Sequence, residues 1–427
     1  MAVTTIHEPV CLRRPTLHHA CPLAAGARVA LGYAFRRAGS AAVLPDGRHL
    51  GAPGVAPSIE FVDADAAFER MGHQPAIGVG EAYMAGDWRV TPGADLAEAM
   101  VPFARHLVAS QPVAAAWLRR MASTAQPGAT RNTVGQARRN IEAHYDLGNT
   151  MFESFLDDTL TYSSARFDWR RSLSDQTLEE AQVHKIELAL DRAGVREGSS
   201  LLEIGTGWGT LAILAARRGA RVTSITISPS QAQLARERIA AAGLSHLVGV
   251  ELRDYREQRG QFDAVVSIEM IEAVGEEFWP GYFAAIERSL APGGTAVLQA
   301  ILMTEERFRA TRNSYGWIQK HVFPGGQIPS VRALQDAARP SGLSVTPVDM
   351  FGLDYAETLR RWRLRFLQNW PQVRDLGFDE VFGRRWEFYL AYCEAGFTAA
   401  AIDVGQLVLQ RVDAARPDAV TASVAAG

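Results

Sequence analysis

Ser199–Gly209 reads SSLLEIGTGWG, an apolar run that ends on an acid and then breaks into alternating glycines. The run has the length of a buried strand, and Gly205, Gly207 and Gly209 suit a tight turn at its carboxyl end. The next hundred residues repeat one alternation. TLAILAARRGA (210–220) has helical spacing, RVTSITIS (221–228) reads as a second strand, and SQAQLARERIAAAGL (230–244) as a second helix. VGVELRDY (248–255) is a third strand, and FDAVVSIEMIEAV (262–274) a fourth that runs into a loop. A helix from Trp279 to Leu290 is expected to end at APGG, with TAVLQAILM (295–303) as a fifth strand. Strands alternating with helices of this size imply parallel βαβ units and a doubly wound α/β sheet. Ligands of such sheets bind beyond the carboxyl ends of the strands, so the site is sought there.

A glycine-rich turn after the first strand is shared by several nucleotide cofactors. Three features favour a sulfonium cofactor over NAD. Glu203 lies two residues before the first glycine, where it can oppose a cationic amino acid moiety. Asp254 and Tyr255 follow the third strand, an acid and an aromatic ring suited to the edge and face of adenine. The second strand closes on Thr226-Ile227-Ser228, with no acid at its tip to grip the ribose of NAD.

Bulk composition sets the frame. The chain has 427 residues, 47% hydrophobic and 21% charged, as expected of an ordinary globular protein with one large domain and a smaller one. Net charge is −3, which argues against a nucleic-acid binder. No apolar run is long enough to span a bilayer, no signal-peptide core is present, and Cys11, Cys21 and Cys393 have no metal or disulfide spacing. A reducing cytoplasm is the expected compartment. From Ala99 to Ile141 there is no Asp or Glu, whereas Arg105, Arg119, Arg120, Arg131, Arg138 and Arg139 lie among apolar residues such as Trp117 and Leu118. That pattern suits either an anionic membrane surface or a solvated linker. The expected organisation is an N-terminal lipid- or membrane-associating α+β domain at 1–122, a linker at 123–140, and a catalytic domain at 141–427.

Further motifs lie in order along the chain: GVGEAYMAGDW (78–88), RRNIEAHYDLGN (138–149), LTYSSARF (160–167), SIEMIEAVG (267–275), WIQKHVFPGG (317–326), LDYAETLRRW (353–362) and YLAYCEAGF (389–397). With the glycine loop they make a sequence that resembles the cyclopropane fatty acid synthase family, most of all its actinobacterial members that methylate oleoyl chains toward 10-methyl or 10-methylene stearoyl products. The resemblance implies a seven-stranded, mostly parallel methyltransferase (Rossmann-like) sheet, with S-adenosylmethionine as donor. It also implies an acyl chain in an apolar tunnel, generally of a membrane phospholipid. Cofactor contacts are then expected from Tyr162, Ser163, Glu203, Gly205, Thr206, Gly207, Gly209, Thr226, Ser228, Gln231, Asp254 and Tyr255.

The family holds a bicarbonate ion beside the reacting carbon. Its ligands correspond to Glu272, Tyr355 and the backbone of Ile301, while Ser164 stands where the family has a cysteine and Gln299 where it has a histidine. Serine and glutamine can donate to an oxyanion, but neither supplies the charge of a protonated histidine. A protein carboxylate is the alternative base, with Glu142, beside His144 and Tyr145, as a candidate.

The chemistry explains the residue types. The alkene attacks the methyl of the sulfonium and leaves a carbocation on the chain. Aromatic faces, a dry pocket and a nearby negative charge stabilise that ion. Loss of a proton from the new methyl closes a cyclopropane, whereas a hydride shift before proton loss gives an exocyclic methylene, which a separate reductase could convert to a methyl branch. Glu272 is expected to orient the base or to be it. LRRWRLRFLQNW (359–370) is an amphipathic helix whose arginines face either headgroups or solvent, with Leu359, Trp362, Phe366 and Trp370 at core spacing. The competing readings are a methyltransferase for a small non-lipid substrate and a catalytically silent lipid-binding relative; a homo-oligomer is compatible with each.

Overall fold

The computed structural model describes Leu12, residues 22–109, Asn132 and residues 147–412. In chain order the first elements are α1 (Pro22–Ala38), β1 (Ala41–Val43), β2 (His49–Gly51), β3 (Ile59–Phe61), α2 (Ala64–His73), α3 (Pro75–Ala85), β4 (Trp88–Val90) and α4 (Leu96–Ala109). After the undescribed stretch come α5 (Asn149–Glu153), α6 (Leu178–Arg192), β5 (Ser200–Ile204), α7 (Thr210–Arg217), β6 (Arg221–Thr226), α8 (Pro229–Ala241), β7 (Val248–Leu252) and β8 (Phe262–Ile268). The remaining elements are α9 (Trp279–Ser289), β9 (Leu290–Leu302), α10 (Glu305–Thr311), α11 (Trp317–His321), α12 (Val331–Ala338), β10 (Leu343–Met350), α13 (Gly352–Gln368), α14 (Trp370–Asp375), α15 (Glu380–Thr398) and β11 (Asp403–Arg411).

The chain divides into two compact units built from interleaved stretches. One comprises Met1–Lys185, Ile301–Ile328 and Phe351–Val404; the other Ile186–Ala300, Pro329–Met350 and Gly405–Gly427. The sequence expectation instead divides the chain at a linker, 123–140, which apart from Asn132 lies outside the described residues.

In the sheet unit seven strands run in the order β10-β11-β9-β8-β5-β6-β7. β5 pairs in parallel with β6 on one side and β8 on the other, β6 with β7 and β8 with β9 are also parallel, and β10 with β11 is antiparallel. Strand order reverses at β5, so the crevice beyond its carboxyl end is the switch point where such sheets take ligands. Helix starts are specified locally: Ser228 caps α8 by accepting from the Gln231 N–H with Pro229 next in line, and Ser330 caps α12 through the Ala333 N–H. One boundary differs from expectation. β9 already begins at Leu290, which pairs with Phe262, and pairing resumes only at Thr295 opposite Ala264. α9 stops at Ser289, as expected, but Ala291-Pro292-Gly293-Gly294 is a bulge within β9 rather than a loop before it.

The other unit holds a four-stranded sheet, β2-β1-β3-β4, of three-residue strands, and a helical body in which α15 packs on α13, α3 and α4. The GVGEAYMAGDW motif lies largely on α3, and here a glycine is required: a Cβ on Gly80 would stand 2.4 Å from Trp317 Nε1 and 2.8 Å from Phe388. From the same helix Glu81 accepts from Lys320 Nζ at 2.6 Å and lies 3.0 Å from His321 Nε2, while the Tyr83 hydroxyl donates to Glu387 at 2.8 Å. The arginines of α13 are mostly not an outer face. Arg363 is buried and ion-paired with Glu394 and Asp95, and Arg361 donates to Glu357 and to the carbonyls of Gln176 and Leu173. Leu359, Trp362 and Phe366 are core, as their spacing indicates, whereas Trp370 begins α14 and is half-buried.

Candidate active site

The glycine loop is continuous with the end of β5. Gly205, Gly207 and Gly209 have φ of 100°, 51° and 89°, a region that L side chains avoid. A Cβ on Gly207 would meet nothing within 4 Å, so the backbone faces open space there, whereas one on Gly205 would stand 3.4 Å from Met270 Cγ and one on Gly209 3.2 Å from Ala235 Cβ. The loop is tied back by Gly205 N and Thr206 N, which donate to Ile225 O at 3.0 and 3.2 Å, and by Arg238 of α8, which donates to Trp208 O at 2.7 Å.

Glu203 is almost fully buried in β5 and faces Ser224 across the β5–β6 register. Ser224 Oγ lies 2.5 Å from Glu203 Oε2 and 2.7 Å from Thr206 Oγ1. A hydroxyl has one proton, so when Ser224 gives it to Glu203, Thr206 becomes the donor of the second bond. Burial pushes the Glu203 carboxyl up to about 8, with the Ser224 bond opposing it. A carboxyl so disposed ionises readily once a cation arrives beside it.

At the end of β6, Thr226 Oγ1 donates to Gln231 Oε1 at 3.0 Å and accepts from Ser228 N at 3.1 Å, and all three residues are buried. The third strand is succeeded by a short 3-10 turn, Tyr255–Glu257. There both oxygens of Asp254 take donors from Arg256, at 2.8 and 2.7 Å, so Asp254 serves the turn. Tyr255 stands edge-on to Tyr282, centroids 5.2 Å apart, and burial pushes its phenol up to about 12. The expected cofactor residues of the sheet unit thus lie on the ends of β5, β6 and β7.

After β8, Glu272 sits half-buried in the 3-10 turn Ile271–Ala273; burial pushes the Tyr282 phenol up, and the nearby Tyr255 and Glu272 add to that rise. Gln299 of β9 is fully buried; its Nε2 donates to Glu269 Oε1 at 2.8 Å and its Oε1 accepts from Gln406 Nε2 at 3.1 Å. Ile301 falls two residues on, near the end of the same strand.

Tyr162, Ser163, Ser164 and Tyr355 belong to the other unit. Ala165 N donates to Thr358 Oγ1 at 3.1 Å, Phe167 N to Asp354 Oδ1 at 2.6 Å, and Arg166 and Trp169 reach Asp354 Oδ2 at 2.9 and 3.0 Å. Thr358 and Asp354 therefore pin Ala165–Trp169, the stretch directly after Tyr162-Ser163-Ser164, to α13, where Tyr355 is the neighbour of Asp354. Ser163 Oγ accepts from Lys185 Nζ at 2.6 Å, and Gln182 Nε2 donates to Ser163 O at 2.8 Å. Ser164 is fully buried and donates to Ala165 O. Tyr162 bonds Tyr389 hydroxyl to hydroxyl at 2.9 Å and lies 5.3 Å from Trp362, within an aromatic cluster that includes Phe152, Phe155, Trp386 and, through Trp362, Tyr355. Glu142 and His144 lie outside the described residues.

Motif reading missed Ser224, Arg238, Gln182, Lys185 and Asp354. The last three carried a signal: polar residues at apolar phase in α6, and an acid beside the motif tyrosine.

Residues 132–407 match the family described as mycolic acid cyclopropane synthetase. The chain is 47% identical to tuberculostearic acid methyltransferase UfaA1 of Mycobacterium tuberculosis over 376 residues, 86% of this chain and 87% of that protein. It is 36% identical to cyclopropane-fatty-acyl-phospholipid synthase of Escherichia coli over 269 residues, 63% of this chain and 66% of that one. Among solved structures, mycolic acid cyclopropane synthase CmaA1 complexed with SAH and CTAB superposes with a TM-score of 0.59 at 30% identity, covering 67% of this chain and 99% of that chain. The chain belongs to the mycolic acid cyclopropane synthetase family.

Proposed function

We propose that this enzyme, an S-adenosylmethionine-dependent methyltransferase of lipid acyl chains, methylates the double bond of an oleoyl-type chain in a membrane phospholipid and forms a 10-methylene product. The observation that carries this reading is the match to a tuberculostearic acid methyltransferase over nearly the whole of both chains. The donor supplies an electrophilic methyl, and the residues present fit it: bare glycine backbone at the switch point, a buried Glu203 that takes up a cation's counter-charge, and the capped Thr226–Ser228–Gln231 corner.

The alkene carbon forms a bond to the methyl as the carbon–sulfur bond breaks, leaving positive charge on the chain. Tyr162, Tyr355 and the tryptophans around them supply ring faces to that charge, each worth about 2 kcal/mol when desolvated. Ser164 and the Ile301 backbone help to shape the reacting end. Glu272 receives or orients the departing proton. Gln299 joins a buried amide line and carries no charge, which supports a protein carboxylate, Glu272 or Glu142 with His144, in the work that bicarbonate does elsewhere.

Among the described residues no helix is long and apolar enough to cross a membrane. We place the enzyme peripherally on the cytoplasmic membrane face; the acid-free, arginine-rich stretch 99–141 supports this. A reductase acting on the methylene product, and a homo-oligomer, complete the reading. Expression in cells rich in oleoyl lipids, with mass spectrometry of the acyl chains, tests it. A 10-methylene chain is expected; a cyclopropane corrects the product, and unchanged lipids overturn the assignment.

A further inference from the structure

Glu269, at the carboxyl end of β8, has φ of +49°, a left-handed backbone that only two other non-glycine residues share among those described. Such a residue persists only where its surroundings over-determine it, and it marks a place where function is worth seeking. Its surroundings are explicit. Glu269 N donates to Gln299 O at 2.8 Å, and Gln299 Nε2 donates back to Glu269 Oε1 at 2.8 Å, so one residue grips both its backbone and its side chain.

Behind Gln299 lies a line of groups whose direction is fixed. Arg192 can only donate. Its Nη1 lies 2.5 Å from Gln406 Oε1, and its Nη2 is 3.1 Å from Asp349 Oδ2. Gln406 must therefore present its oxygen to the arginine and its amide nitrogen to Gln299 Oε1, at 3.1 Å. Gln299 in turn has its nitrogen toward Glu269. Every step donates in one sense, and the line requires an acceptor at its end. The side-chain oxygen of Glu269 meets that requirement.

The turn that Glu269 begins carries two groups of interest. Met270 packs on the donor loop, its Cγ 3.4 Å from where a Cβ of Gly205 would lie. Glu272 comes next in the 3-10 turn, closed by Ala273 N on Met270 O at 3.0 Å and by Trp279 Nε1 on Ile271 O at 3.3 Å. Moving the φ of residue 269 would move both.

We infer that Glu269 is a positioning residue, whose carboxylate, held by the Arg192–Gln406–Gln299 line, locks the left-handed turn that sets Met270 against the donor loop and presents Glu272 for proton removal. This rests on the proposed function, in which Glu272 handles the proton and the glycine loop binds the donor.

The test separates backbone from side chain. Glu269→Gly accepts the left-handed backbone without strain but deletes the clamp, and Glu269→Gln keeps an amide oxygen that can accept from Gln299. Purified wild type, E269G, E269Q, Q299A and E269G/Q299A are compared by kcat on oleoyl-phospholipid vesicles, affinity for S-adenosylhomocysteine, and thermal melting. Expected results are a loss of at least about tenfold in kcat for E269G and Q299A, with affinity changed by less than about threefold, E269Q close to wild type, and a double variant no worse than either single, because the pair acts as one unit. E269G with wild-type kcat, or additive losses in the double variant, overturns the inference. Should E269G fail to fold, Q299A and E269Q carry the same comparison. A wild-type protein that neither binds the homocysteine product nor alters the lipid refutes the underlying function, an outcome distinct from failure of the Glu269 variants alone.

Discussion

Two carboxylates at the ends of neighbouring strands show how differently one sheet can treat the same group. Glu203, on β5, is buried among hydroxyls and pushed up to about 8. Neutral hydroxyls cannot offset the desolvation of a charge, so this carboxyl keeps a proton until a cation displaces it. Glu269, after β8, terminates a one-way line of donors that begins at a guanidinium. The first arrangement suits a ligand that comes and goes; the second suits a turn that must not move.

The largest effect should come from the turn rather than the line behind it. Glu272→Gln is expected to lower kcat by about a thousandfold or more while S-adenosylhomocysteine affinity stays within several-fold, as read by titration calorimetry and product analysis. Full activity in that variant would remove the distinction between a binding end and a reacting end of the sheet.

Next comes Glu203, through pH. A cationic donor binds the ionised form, so binding should release a proton below about pH 8, and affinity should rise with pH, by at most tenfold per unit, until it levels near 8. Glu203→Gln should weaken binding and flatten that dependence. The sign for stability is opposite. Because the folded carboxyl binds its proton more tightly than an unfolded one near 4.5, the stability of the free enzyme should fall as pH rises from about 4.5 to 8. Thermal melts across that range, with and without the donor product, check both signs.

Smaller effects fall to the hydroxyls. Ser224→Ala removes the donor that opposes the burial of Glu203, so the pH at which affinity levels should move upward and affinity near neutrality fall by a few-fold. Ser164→Cys should be tolerated within about threefold, since Ser164 spends its proton on the adjacent Ala165 carbonyl and a thiol fits the same buried space. Loss of all activity there would mean that the hydroxyl does more than fill its place.

The glycine-loop end of the sheet was legible because local signals dictate its fold. Glycines at positive φ, the Ser228 cap and the strand–helix alternation are written in adjacent residues, and the chain folds as they indicate. β10 and β11 carried no such announcement, since they pair across residues far apart in the chain. The bulge at Ala291–Gly294 reads as a loop before the strand until its partner strand is known. The same holds at the turn after β8. SIEMIEAVG displays Glu272 as a motif residue, but nothing local distinguishes Glu269 from a surface glutamate, because the groups that hold it come from positions 192, 299 and 406. Asp254 is legible in part: its place after the third strand shows in the motif, whereas the hold of Arg256 on both its oxygens shows only in the folded turn.

Incubating the purified enzyme with oleoyl-phospholipid vesicles and S-adenosylmethionine bearing a trideuterated methyl tests the central claim most directly. Mass spectrometry should find one labelled carbon on the acyl chain, carrying two of its three deuterons, because the proton that leaves comes from the transferred methyl. An acyl chain without label, or label that stays on a non-lipid acceptor, would contradict it.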